Sequence, residues 1–521
     1  MTIRLTRLRF ENPVLTKELR TRMRGARAYW ILFVYLLVLS LLLFFTYLAW
    51  WNQQQRGLGN DDVSFAVGRT FYLVLFCTQA VLVGLITPAL TAGAITMERE
   101  QRTYELLSAS LLPRRAIVVG KLLAAVGFIG LLITASLPLI SICFLLGGVS
   151  PGEVLAAFGL LLLTALLYGA VGMACSTVSR NTSTATAATY GTILLLFFST
   201  LPLSIMNAGR SLGAADLGVG LGAVNPVGSV LVGTLAERYF GVTLPAWLPA
   251  LVLNGLLAVI LIVVAIHRLG MPQADRSGLL RLLCAVFVGL LAFFGYGALL
   301  PEAGQGVLPF APIRDRMAFA AVFTVFAPCA LVPIFATAND LGPGPWSGLD
   351  PRRLGRGEAP SGMAYALLLV LLCAAILWVG APSDLRPRVQ TLAVLALCVT
   401  FCFGALALLF SALLKNRWGA FAVVALAMLA VFLMPMASLI GYQTGGRGGV
   451  SDNFLYLSPI PAAMQLAGGI TEDVFWRQVP PLWGGRTPFS TVTPALYGLL
   501  GAAFLAGARA IHARRRKAAT R

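Results

Sequence analysis

Twelve apolar stretches, each about as long as a helix that crosses hydrocarbon, divide this chain of 521 residues. A helix rises 1.5 Å per residue, so about 20 apolar residues are needed to cover about 30 Å of bilayer core. The stretches run approximately Tyr29–Trp50, Thr70–Thr91, Ile117–Leu146, Val154–Val178, Ala185–Met206, Leu244–Ile266, Leu279–Leu300, Ala318–Thr337, Met363–Ala381, Val389–Leu414, Trp418–Ile440 and Thr493–Ile511. The third is long for one crossing and is read as beginning at the interface. Backbone amides in lipid must be satisfied within their own segment, so the pattern predicts an all-α polytopic membrane protein. A water-soluble globular chain is excluded, because 58% of the residues are hydrophobic and only 11% charged, against roughly a quarter charged in soluble domains.

Cations resist translocation and collect in cytoplasmic loops. With the N-terminus inside, 28 of the 39 Lys and Arg fall on the cytoplasmic side, together with 9 of the 20 acids, so the whole net charge of +19 lies there. Both termini are then cytoplasmic, as an even number of spans requires. The imbalance is a threading signal. No basic domain interleaved with aromatics exists, so nucleic acid is not an expected partner. The first apolar stretch is too long for a secretory leader and follows a polar arm, so it is read as staying in the membrane. All eight cysteines lie inside predicted spans, where they act as small apolar residues. Cys398 and Cys402 share a helix face, but without a nearby His or carboxylate they are read as packing rather than as metal ligands.

Landmarks recur at one offset. Ser179-Arg180-Asn181 closes the fourth span and Leu414-Lys415-Asn416 the tenth. Asn225-Pro226 and Ser458-Pro459 precede the sixth and twelfth spans, and Gly148–Pro151 resembles Gly380–Pro382. The two histidines, His267 and His512, stand at the exits of the sixth and twelfth spans. These matches predict two parallel six-helix repeats, since an even-numbered unit repeats in the same orientation. The expected layout is a cytoplasmic amphipathic arm at 1–28, a six-span unit at 29–270, a divergent six-span unit at 271–512 and a basic tail at 513–521.

One cytoplasmic segment carries more than threading charge. Between the second and third spans, near 96–112, Glu98, Arg99, Glu100, Arg102 and Glu105 alternate in sign, while Tyr104, Leu107 and Leu111 can form a narrow apolar stripe. The spacing predicts a short helix led by Pro113 into the next span. Such a helix can dock on a partner, or it can be a solvated interfacial turn. In the N-terminal arm, Val14, Leu15, Leu19 and Met23 recur at helical spacing beside Lys17, Arg20, Arg22 and Arg24. That is the pattern of a basic amphipathic helix lying against membrane lipid, with Asn12-Pro13 supplying its cap and first turn.

The run Glu98-Arg99-Glu100, Thr103, Glu105-Leu106-Leu107, Pro113, Ile117 and Gly120-Lys121 resembles the characteristic stretch after the second span of the membrane subunits of type-2 ATP-binding-cassette (ABC-2) exporters. The Gly147–Pro151 turn and the Asn225-Pro226 pair are also similar to that family, and the resemblance extends over residues 12–270. It implies a permease in the plasma (inner) membrane of a bacterium, with Glu98, Arg99, Glu100, Thr103, Glu105, Leu106 and Leu107 coupling to a separate P-loop ATPase, itself expected as a dimer. It also implies that the interfacial helix, with Lys17, Arg20 and Arg24, helps frame the ATPase contact. The second half departs from the family where it matters. Residues 339–363 are rich in Gly and Pro and show no mixed-charge helix, which puts docking of a second ATPase there in doubt.

The chain has no GxxxxGK[ST], so it is not expected to be an enzyme or to bind a cofactor itself; ATP and Mg belong to the partner. The central parts of the spans carry no Asp, Glu, Lys or Arg, groups that ion-coupled carriers usually place there. A proton-driven secondary transporter is therefore disfavoured as the alternative. A non-transporting anchor for an ATPase is a third reading, weakened by the small outer loops. Gln79, Tyr168 and Asn254 are the candidates for a substrate pathway, although interhelical hydrogen bonds of about 0.6 kcal/mol would explain them as well.

Overall fold

The computed structural model of the protein describes residues 13–55, 63–105, 112–146, 149–208, 236–239, 242–245, 247–269, 277–297, 359–380, 386–414, 420, 423–428, 431 and 489–519. Apart from short turns, these residues are helical except for one two-stranded hairpin, β1 (Ala236–Tyr239) with β2 (Val242–Pro245). Among them, seven helices are long and apolar enough to cross a membrane: Ala28–Asn52, Gly68–Glu100, Arg114–Ala135, Pro151–Val178, Trp247–Leu269, Val389–Leu414 and Val492–Ile511. Contacts divide the chain into two compact units, Met1–Glu237 with Thr243–Ala274, and Arg238–Val242 with Asp275–Arg521.

The first unit begins with α1 (Pro13–Met23), which meets α2 (Ala26–Gln55) through a bend at Gly25, where φ is +143°. That is a backbone region L side chains avoid, and glycine enters it freely. α2 sits at the rim. Phe33, Phe44 and Phe45 on it are more than half exposed, as lipid-facing residues should be. Exposed Tyr29 and Trp30 near one end, and Tyr47 and Trp51 near the other, stand about 30 Å apart along the axis, the spacing of the two aromatic belts of a bilayer.

α3 (Val63–Thr91) leads into the short α4 (Thr96–Glu100), then α5 (Arg114–Ala135), α6 (Leu137–Leu146), α7 (Pro151–Val178), α8 (Thr182–Ala208) and α9 (Trp247–Leu269). α7 is the axis of the unit and packs on α3, α5, α8 and α9. It starts where the sequence asks for a start. The Ser150 hydroxyl caps it by accepting the Glu153 amide at 3.3 Å, with Pro151 in the first turn. Its glycines set how closely the neighbours come: a Cβ on Gly172 would collide with the Thr91 hydroxyl, and one on Gly169 would lie 2.7 Å from Leu122. Two cores result, one around Tyr35, Phe76, Ile129 and Leu161, the other around Ile95, Val118, Val171 and Ala265.

The second unit contains α10 (Ser277–Gly297), α11 (Ala359–Gly380), α12 (Arg386–Leu414) and α13 (Phe489–Ala519). α12 packs on α13 and α11, and α11 on α10. Its apolar clusters centre on Tyr365, Leu369 and Cys373, and on Met363, Leu408 and Leu505.

Three expectations change. The third span is not one helix: α5 ends at Ala135 and α6 begins at Leu137, because Pro138 cannot donate to the preceding turn. Ser136 fills the break, donating to the Ile133 carbonyl at 2.7 Å and accepting from the Gln79 amide at 2.6 Å. The sixth span starts at Trp247 rather than Leu244, since Val242–Pro245 is a strand. That hairpin also qualifies the all-α expectation. The eighth span and the loop at 339–358 lie outside the described residues, as does most of the eleventh span.

Candidate coupling hairpin and buried charge cluster

α4 is only five residues long, yet each of its charged side chains has a separate partner. Glu98 places a carboxylate oxygen 2.7 Å from Lys121 Nζ, about two turns into α5. Lys121 also donates to Glu18 of α1 at 2.9 Å. Arg99 reaches the end of α7 and donates to the carbonyls of Thr177 at 3.2 Å and Ser179 at 3.1 Å. There it supplies donors to carbonyls that a helix end leaves open. Glu100 does the converse at the start of α8, accepting from the Thr182 amide at 2.7 Å and its hydroxyl at 2.9 Å. Ser176 of α7 accepts from the amides of Ile95 and Thr96, which ties the N-terminal side of α4 to α7.

The other end of α4 closes as a Schellman motif. The amide of Thr103 donates to the Glu98 carbonyl at 2.9 Å and that of Arg102 to the Arg99 carbonyl at 3.1 Å. Position Arg102 must then be left-handed, with φ 57°, a place where glycine is usual. Beyond it Tyr104 lies under Arg99, whose guanidinium carbon is 5.3 Å from the ring centroid. Gln101, Arg102, Thr103 and Glu105 are exposed, with Met97 beside them. Leu106 and Leu107 lie outside the described residues.

Lys121 is only 5% exposed. A buried ammonium costs several kcal/mol unless paired, and here two carboxylates from two other elements face it. Arg22, four residues after Glu18, is 3.7 Å from the same carboxylate and donates to the Leu90 carbonyl of α3 at 3.1 Å. Glu18, Glu98, Lys121 and Arg22 together are neutral. Burial alone would raise the Glu18 carboxyl, but the hydrogen bond and charge of Lys121, with Arg22 and Lys17 adding theirs, hold it below its ordinary range. Burial pulls Arg22 down despite Glu18.

The arm therefore differs from its sequence reading. Its inner face carries Val14, Glu18 and Arg22 and packs on α5, with Leu19 against Gly127, while Met23 is 40% exposed. Lys17, Arg20 and Arg24 are exposed on the opposite face. Of the cluster's key members, Lys121 stands in the sequence only as the end of the run that resembles the family, and Glu18 has no special standing there. A further signal is that Glu18 is the single acid of α1 and Lys121 the single charge within an otherwise apolar α5 after its first turn.

The three pathway candidates sit on different helices. Gln79 is fully buried against Ser136, Tyr168 packs beneath Gly84 of α3, and Asn254 is buried in α9. Residues 13–269, from α1 to the end of α9, match the family described as ABC-2 family transporter protein. A comparison with curated proteins finds no match. The matched stretch contains the arm, the hairpin and every described membrane helix of the first unit, and it identifies this unit as an ABC-2 transporter membrane region within a multi-pass membrane protein.

Proposed function

We propose that the chain is the permease subunit of an ATP-binding-cassette exporter whose energy comes from a separate P-loop ATPase, bound with ATP and Mg, at the 96–105 hairpin. The observation that carries this is the way α4 is held. Glu98, Arg99 and Glu100 fasten it to α5, α7 and α8, which leaves Met97, Gln101, Arg102, Thr103 and Glu105 presented outward on a rigid mount. In this reading the first three charges position the contact and the exposed residues make it. Both termini and the hairpin face the cytoplasm of a bacterial cell, in keeping with the positive-inside charge count.

The full chain is read as twelve helices in two parallel repeats. Support comes from matching neighbourhoods: α7 packs on α5 and α9, and α12 on α11 and α13, the fourth, third and sixth members of each half.

Tagged full-length chain purified gently from native membranes should retain an ATPase. Glu105→Ala with Thr103→Ala should release it while leaving the fold intact. A chain that retains no ATPase, and moves substrate along an ion gradient without ATP, overturns the reading in favour of a secondary transporter.

A further inference from the structure

We propose that the outer face of α1 binds the phosphate headgroups of anionic phospholipids, and that the Glu18–Lys121–Glu98 bridge carries this occupancy to the hairpin. Lys17, Arg20 and Arg24 are all exposed. At about 100° per residue Lys17 and Arg20 fall within about 60° of one another on α1, and Arg24 directly follows the helix with its amide still bonded to the Arg20 carbonyl at 3.0 Å. The one acid of α1, Glu18, points the other way onto Lys121, so the outer face is purely cationic. Thr21 donates to the Lys17 carbonyl and Met23 stands beside the cations half-exposed, an apolar neighbour suited to a lipid surface.

The level is right for headgroups. α1 ends three residues before α2 begins, and exposed Tyr29 and Trp30 in the first turn of α2 mark the membrane–water boundary. A cationic face at that level attracts anionic lipid, each cation adding to the attraction. The inner face of the same helix is bonded through Lys121 to Glu98, so ordering α1 restrains α4 as well. What the hairpin then does rests on the ATPase reading above, but the test below uses no ATPase, so the two can fail separately.

The purified full chain is placed in nanodiscs of phosphatidylcholine alone or with about one-third phosphatidylglycerol, and amide exchange is followed over 13–23 and 95–103. Anionic lipid should slow exchange in both segments, by roughly tenfold in α1. The triple variant Lys17→Gln, Arg20→Gln, Arg24→Gln should lose both effects, whereas Arg115→Gln, an exposed cation elsewhere, should keep them. Glu18→Gln, or Glu18→Asp if that variant does not fold, should keep protection in α1 and lose it in the hairpin. Equal exchange in the two lipids overturns the proposal. Protection by inorganic phosphate in phosphatidylcholine discs overturns the lipid source, and protection that needs an added protein and ignores lipid charge points to a protein surface instead. A hairpin that still responds in the Glu18 variants overturns the bridge.

Discussion

α7 of the first unit and α12 of the second occupy the same position in their own packing. Each is among the most buried membrane helices; α7 packs on α5 and on α9, the last helix of its unit, and α12 on α11 and on α13, the last of its own. They differ in what small residues do for them. On α7, Gly169 and Gly172 let α3 and α5 come close, which seats the Thr91–Glu100 turn and hence the charged hairpin. In the second unit, Gly404 of α12 makes room for Met363 of α11, and Gly501 of α13 for the Phe401 ring of α12. Among the polar contacts described there, the Tyr365 hydroxyl donates to the Arg281 carbonyl, the Arg281 guanidinium lies over the Tyr365 ring at 5.6 Å, and Arg386 lies over Trp378 at 5.0 Å. Close helix packing is therefore compatible with quite different polar attachments, and the charge cluster belongs to the first unit's particular use of the scaffold.

The strongest way to break this contrast is Lys121→Met. It removes the cation that Glu98 and Glu18 share and leaves Glu18 with Arg22 alone, and we expect a loss of about 3–5 kcal/mol, read by thermal or denaturant unfolding in detergent. Its counterpart Arg386→Gln removes an exposed cation–π pair and should cost about 0.5–1 kcal/mol. Similar losses for the two would mean that the cluster is not the special feature of the first unit. Gly172→Ala should cost about 1–3 kcal/mol through overpacking against Thr91. Gly159→Ala on the same helix, where the added carbon meets nothing within 4 Å, should be near neutral in the same assay.

A pH titration sharpens the electrostatic side. The carboxyl of Glu18 is depressed in the folded protein, so its contribution is fully present above the unfolded value of about 4.3 and is lost as pH falls through the lower folded value. Unfolding temperature should drop more steeply below that point in the wild type than in Glu18→Gln. Ser150→Ala removes the α7 cap and should cost about 1 kcal/mol in the unfolding assay. Smallest is Arg102→Gly, which relieves the left-handed backbone and should stabilise by about 0.5 kcal/mol. Destabilisation would show that the Arg102 side chain makes a contact worth more than the strain.

Membrane helices are legible because a run of apolar residues has no other way to satisfy its backbone in lipid. The ends of the fourth, fifth, sixth, seventh, ninth and tenth fall within about four residues of expectation, whereas the second starts earlier, at Val63, and the last runs on to Ala519. The break at Ser136 was not legible, because Leu137 and Pro138 continue an apolar run and hydropathy does not register a lost hydrogen bond. The charged segment at Glu98–Glu105 was recognisable by its alternating signs. Its wiring was not, since Glu18 and Lys121 are 103 positions apart and Glu100 and Thr182 are 82 apart. Only the packing of α1 on α5 and of α4 on α8 brings such pairs together. Lys17, Arg20 and Arg24 were found by spacing, but which face of α1 looks outward depends on Glu18, whose partner no local pattern reveals.

The grip of α4 has a mechanical consequence. Arg99 holds the last carbonyls of α7 while Glu100 holds the first amide of α8, and Glu98 holds Lys121 of α5. A load applied to the exposed turn at Gln101–Thr103 cannot be absorbed by one loop, because it is handed at once to one helix end, one helix beginning and the first turns of a third. The hairpin thus has the anatomy of a crank handle with three rods, and the least movement at its tip is shared among helices that all meet in the core of the first unit.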